Sequence, residues 1–122
     1  MYPPIFPHVA ASSAAKALLG SSPVRFWQFG SAPQNPQKPY AVWQRIFGAP
    51  GNYVNQVPDS DNFSLQIDVY ATTADSARAV AAAIRDAVEP VSYITNWLGE
   101  SIEPETKLYR FSMQNEWIVE RT

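Results

Sequence analysis

Few stretches of the 122-residue sequence carry side chains whose types and spacing could do chemistry. His8 is the single histidine, so a Ser-His-Asp arrangement would have to use it. It lies between Pro7 and Val9 where a helix is expected to begin, a poor place for a buried general base, and it reads as an ordinary surface histidine. Asp59 and Asp61 in "PDSD" look like the opening of a calcium loop, in which alternate oxygen ligands surround the ion. The later Asp/Asn, the turn glycine and the closing bidentate Glu of that pattern are missing, which leaves turn and cap chemistry as the reading for the pair. "GAPG" (48–51) is the nearest approach to a phosphate-cradling glycine loop, but no Lys-Ser/Thr follows it and no helix opens after it. With no cysteine there are no disulfides, thiolate nucleophiles or Cys-based zinc sites. The residues alone therefore describe a non-enzymatic structural or interaction domain with no metal and no cofactor.

Composition narrows the class further. The chain is 46% hydrophobic, with four Trp, six Tyr and six Phe, enough for one modest core and too apolar for intrinsic disorder. Nine basic residues are scattered among eleven acidic ones, and the formal charge is −2. A dedicated nucleic-acid binder needs a Lys/Arg surplus to displace phosphate counterions, and that surplus is absent. The N-terminal stretch has no basic region and has prolines at 3, 4 and 7, unlike a signal peptide. No run approaches the roughly 18 apolar residues of a membrane span. The expectation is a soluble, intracellular protein that does not engage a membrane.

The elements that must position these residues follow from periodicity. Residues 5–19 predict a first helix, with Pro7 in its opening turn and Gly20 as its stop. "VRFWQFG" (24–30) predicts a strand, and "SAPQNPQKP" (31–39) a loop. "YAVWQRIFG" (40–48) is apolar in both registers and predicts a strand covered on both sides over part of its length. "NFSLQIDVYA" (62–71) alternates cleanly, with Phe63, Leu65, Ile67 and Val69 on one face and Ser64, Gln66 and Asp68 on the other. "TTADSARAVAAAIRDAVEP" (72–90) predicts an amphipathic helix, capped by Thr72 or Thr73 and ended by Pro90. "VSYITNWLG" (91–99) predicts a weaker strand and "ESIEPETK" an acidic turn. "LYRFSMQNEWIVE" (108–120) predicts a long strand with Tyr109, Phe111, Met113, Trp117 and Val119 on one side.

The order α-β-β-β-α-β-β, with hairpin-like links between strands, predicts a single α+β domain over residues 1–122. Its sheet should be mostly antiparallel, with two helices packed on one face. Between two of its best strands lies the polar stretch "GAPGNYVNQVPDSDN" (48–62), longer than most strand connections.

The succession "APQNPQKPYAVWQ", a long loop, "FSLQIDVYATTADSARAVAAAIRDAV" and "ETKLYRFSMQNEWIVE" resembles the tail-completion, or tail-terminator, proteins of long-tailed bacteriophages and related prophages. The likeness spans about residues 5–121 and rests on fold and packing patterns, with no catalytic signature. It implies an α+β subunit that assembles into a homohexameric ring on the finished tail tube. The ring would stop tube polymerisation and present the surface on which the head, through its connector or neck protein, is joined. The subunit would be assembled in the host cytoplasm and end at the head-proximal end of the virion tail.

The residues agree with that job. A closed ring needs a heterologous interface, for which the two-sided strand at 40–48 supplies candidate surface. Six subunits at −2 carry about −12, which suits a lumen that DNA crosses without binding. Arg45 and Arg110, each among apolar strand residues, are read either as solvent-facing side chains or as inter-subunit ion pairs. The polar arm supplies the other candidate interaction residues: Asn52, Tyr53, Val54, Asn55, Asp59 and Asp61. It is expected to reach a neighbouring subunit or the tube protein and to order on binding. The alternative readings are a head-proximal neck or connector-completion protein, or a small nucleic-acid-binding regulator that uses Arg25, Arg45 and Arg110.

Overall fold

The computed structural model describes residues 2–52, 54 and 56–121; Tyr53 and Asn55 of the expected arm lie outside the described residues. The N-terminal segment forms two helices, α1 (Ile5–Ala10) and α2 (Ser13–Leu19), where the sequence predicts one. The break has a local cause. Ser12 takes an extended backbone and its hydroxyl accepts the Ala15 N–H, so it restarts the chain as an N-cap rather than continuing the first helix. Gly20, at φ +82°, ends α2 as expected.

Five strands follow around a third helix: β1 (Phe26–Gln28), β2 (Tyr40–Pro50), β3 (Ser60–Ala71), α3 (Ala74–Val88), β4 (Tyr93–Ile102) and β5 (Tyr109–Glu120). They form one sheet in the order β1-β2-β3-β5-β4. The domain is α+β and its sheet mostly antiparallel, as the sequence predicts, with three helices rather than two among the described residues. One link departs from a hairpin. β1 pairs parallel to β2, with Phe26 opposite Ala41 and Gln28 opposite Trp43. A parallel pair requires the chain to travel back before re-entering the sheet, and the proline-rich segment 29–39 makes that return.

The core lies between the helices and one face of the sheet. Leu65, Ile67 and Val69 of β3, Met113 of β5, and Val80, Ile84 and Val88 of α3 are all fully buried. Thr73 caps α3 through the Ser76 N–H, and Asp75 lies in its first turn. β3 and β5 run opposite one another in unbroken register from Ser60↔Glu120 to Ala71↔Tyr109.

In the middle of the apolar face of β5 sits Asn115, fully buried. Its amide donates to Ser92 Oγ at 2.9 Å and to Tyr93 O at 3.0 Å, and its oxygen accepts the Trp117 indole N–H. Ser92 in turn donates to Val88 O at 2.7 Å, the last carbonyl of α3. This chain of bonds fixes where α3 ends and how β4 enters the sheet. Replacing Asn115 with Ala leaves the Trp117 N–H without its acceptor and opens a small cavity. The expected loss is about 1–3 kcal/mol of stability, seen as a lower urea midpoint with an unchanged slope. A midpoint equal to the wild type would show that the network is not structural.

Candidate assembly surfaces

α1 and α3 contact the sheet, and the buried side chains of the helices join one core on that face, so among the described residues the opposite face has no helix over it. That second face is not uniformly wet. Asp68, at the centre of β3, is 6% exposed and is held by side chains of its own sheet. Ser112 donates its hydroxyl to Asp68 Oδ1, Gln66 donates to both carboxylate oxygens at 3.1 and 3.2 Å, and Arg110 donates from Nε at 3.3 Å and a terminal nitrogen at 3.2 Å. A buried carboxylate needs such partners. Arg110, open in the sequence to a solvent-facing position or an inter-subunit ion pair, makes an ion pair within its own chain.

Beside this network the segment 29–39 walls a cavity of about 500 Å³ with Phe29, Pro33 and Pro36, over Tyr40, Tyr70 and Arg110. The Tyr40 and Tyr70 rings stack at 5.1 Å. Burial raises the pKa of both hydroxyls, with Glu103 adding for Tyr40 and Asp68 for Tyr70, so both stay neutral hydrogen-bonding groups. This is the partial second cover expected for the strand beginning at Tyr40: Val42 and Gln44 are half-buried on this side, while Ala41 and Trp43 are buried on the other.

At the other end of the sheet the cover stops. Register changes at Ile46 of β2, and from Arg45 to Gly48 the strand is exposed. Arg45 lies with its guanidinium 5.6 Å from the centre of the Tyr2 ring. Phe47, Tyr93 and Ile118 are each at least 60% exposed and border a groove of about 420 Å³ floored by Ser64 and Glu116. The outer strand β4 is exposed along nearly its whole length, and Trp97, Leu98 and Ile102 stand out from it. Sheet edges of this length with apolar side chains are usually covered by a partner.

The polar arm is shorter than the sequence predicts, because β2 runs on to Pro50 and β3 begins at Ser60. Its ends are tied down. Gly51 N–H donates to Ser60 O, and the Arg121 backbone N–H donates to Asp59 O at 2.7 Å. Arg121 also grips Asp61 with two side-chain bonds, at 2.7 and 3.0 Å, and donates to Pro58 O. Asp61 is thus a strand residue bonded to the C-terminal segment rather than a turn or cap residue. Between these anchors Asn52, Val54 and Val57 are exposed, the two valines at 87% and 79%. His8 is half-buried with its ring 5.8 Å from that of Trp117, so it packs against the core rather than standing free at the surface.

Sequence reasoning missed Tyr93, Trp97 and Leu98. "YITNWLGESI" has apolar residues at both parities, and an outer strand with apolar side chains on both faces was the available signal. Asp68 and Asn115 gave no signal, since each fits an ordinary alternation.

A sheet covered by helices on one side only, with exposed aromatic edges and a tethered arm, defines a protein built to be joined to others. The chain matches the family "Tail completion protein gp17" over residues 3–120 and belongs to that family. Membership gives it a structural role in a virion tail. Among solved structures the chain is similar to one in the virion of a native gene transfer agent particle. That match has a TM-score of 0.63 and 14% identity, and covers 96% of this chain and 92% of that one. At that identity the likeness concerns the fold. No match was found among curated proteins by sequence.

Hydrogen bonds from Arg121 hold the Asp61 carboxyl below its ordinary value. A lowered folded value means that the tie is present above the ordinary carboxylate range and is lost as pH falls through the lowered value. The protection factor of the Arg121 amide should therefore drop on acidification in the wild type and be low at every pH in Asp61→Asn. Equal protection in the two proteins would show that the side-chain tie does not hold the arm.

Proposed function

We propose that this protein forms a homohexameric ring that caps the tail tube. The ring ends polymerisation of the tube protein and offers the surface to which the connector or neck protein joins the head. Family membership over residues 3–120 carries the reading. Two features support it physically. Exposed strand segments lie toward opposite margins of the sheet, residues 45–48 of β2 beyond the reach of β1 on one side and β4 on the other, the arrangement a heterologous ring needs. The formal charge of −2 per subunit disfavours retention of DNA that passes through the ring. The work is that of a structural protein, done at the head-proximal end of the tail after assembly in the host cytoplasm.

The test is assembly on purified tail tubes. Isolated subunits can be monomeric if the tube end templates the ring, so sedimentation and electron microscopy of the mixture decide. Ring-capped tubes are expected. A protein that stays monomeric beside its tubes would overturn the reading. Particles lacking the protein should show overlong, unjoined tails; unstable DNA-filled heads would instead indicate a neck protein.

The arm gives a sharper expectation. Deleting residues 52–57 leaves the anchors at Gly51 and Pro58–Asp61 in place, so the domain should keep its thermal midpoint while capping falls at least tenfold. Normal capping by the deletion variant would make the arm a spacer.

A further inference from the structure

The charges of the chain are not evenly scattered. Residues 1–58 contain Lys16, Arg25, Lys38 and Arg45 and no Asp or Glu; all eleven acidic residues fall at or after Asp59. The strand order turns this sequence asymmetry into a spatial one. β1 and β2, from the acid-free half, form one margin of the sheet, and β5 and β4, from the acidic half, form the other. The cationic margin keeps its charge: Arg25 donates to the carbonyls of Leu18 and Pro39, Lys38 to the Asn35 side chain, and none of these partners is anionic. On the opposite margin, β4 and the turn after it carry Glu100, Glu103 and Glu105 against a single Lys107; Glu100 is held by Arg78 of α3 at 2.7 Å, and Glu103 and Glu105 leave the turn net acidic.

Both margins also offer strand edges. β1 covers β2 only from Ala41 to Trp43, and no strand element pairs with β2 on that side beyond Trp43 among the described residues. β4 is the outer strand of the other margin. Across the sheet, Phe47, Ser64, Glu116 and Tyr93 lie in one row on the helix-free face. The row therefore ends in an exposed aromatic ring at each margin, 60% exposed at Phe47 and 65% at Tyr93.

We propose that the β4 margin of one copy docks on the β2 margin of the next, continuing the sheet from subunit to subunit with Tyr93 beside the neighbour's Phe47. The occupant is a second copy because the two margins complement one another in charge, in edge and in aromatic surface. Rotation about an axis along the strands preserves strand direction. β4 runs antiparallel to β2 within the sheet, so it meets the neighbour's β2 antiparallel, the commoner pairing. The contact is head-to-tail, so it excludes a two-fold dimer and builds a ring when the rotation between neighbours closes. The attraction between opposite margins acts across about 10 Å at 0.1 M salt, so the joint weakens as salt rises.

The inference rests on the ring reading above, and its test separates the two. The chain has no cysteine, so single variants Phe47→Cys and Tyr93→Cys report one contact each. Mixed on tail tubes and treated with a short bifunctional thiol reagent, the two variants should give a cross-linked dimer, and neither should do so alone. The double variant should give a ladder. Yield should fall several-fold between about 50 and 500 mM salt, in line with the shorter screening length. Rings on tubes with no mixed product would overturn this joint and leave the ring reading intact. Cross-linking of either single variant with itself would overturn the head-to-tail geometry. Absence of any ring would overturn both.

Discussion

The pairing of β3 with β5 holds the rest of the subunit in place. It is the longest ladder in the sheet, and its core side carries Leu65, Ile67, Val69 and Met113, against which α3 packs. Because strand side chains alternate, a slip of one residue would send this apolar set to the helix-free face and bring Gln66 and Asp68 under the helix. β2 and β4 hang on the two outer sides of this pair, so their position, and that of the aromatic residues they expose, depends on its register.

Two buried polar networks lock that register from opposite faces. On the helix side, Asn115 joins β5 to Ser92 and, through it, to the end of α3. On the other side, Asp68 of β3 is bound by Ser112 and Arg110 of β5. Each network is worth little net stability compared with an apolar filling of the same volume. Each is broken at substantial cost by a slip, because its donors and acceptors would then be buried without partners. Neither network has to reach outside the chain, so the folded subunit presents a fixed surface for assembly.

Much of this was legible in the sequence where one periodicity dominates. The alternation through Phe63–Val69 and the stripe of α3 located the core, and the strand order was compatible with an α+β sheet. What failed were choices settled by single hydrogen bonds or by distant contacts. Ser12 divides a stretch that reads as one helix because its hydroxyl caps a new one. The proline-rich segment returns the chain to make a parallel pair, and nothing local distinguishes that from a wide hairpin turn. Arg110 and Asp61 are each bonded within the chain to a residue at least 40 positions away, a pairing that no local pattern announces. The exposed aromatics of β4 were hidden by a weak alternation, since an edge strand exposed along nearly its whole length need not show a one-sided pattern.

The geometry separates the surfaces by direction. Edges of a sheet point across the strands, whereas turns and connections project along them. The exposed edges of β2 and β4 therefore face sideways, and the arm between Pro50 and Ser60 extends from an end of the strands, beside the C-terminal segment that anchors it. In a ring joined edge to edge around an axis along the strands, sideways surfaces are consumed by neighbours. The arm then points along the axis, toward whatever lies above or below. Such a subunit cannot add further copies of itself once the ring closes, because no edge remains. Growth stops in the plane of the ring, and only the ends of the strands stay available to a different protein. A cap requires that division: self-association confined to one direction and exhausted, with recognition of another partner left in the perpendicular one.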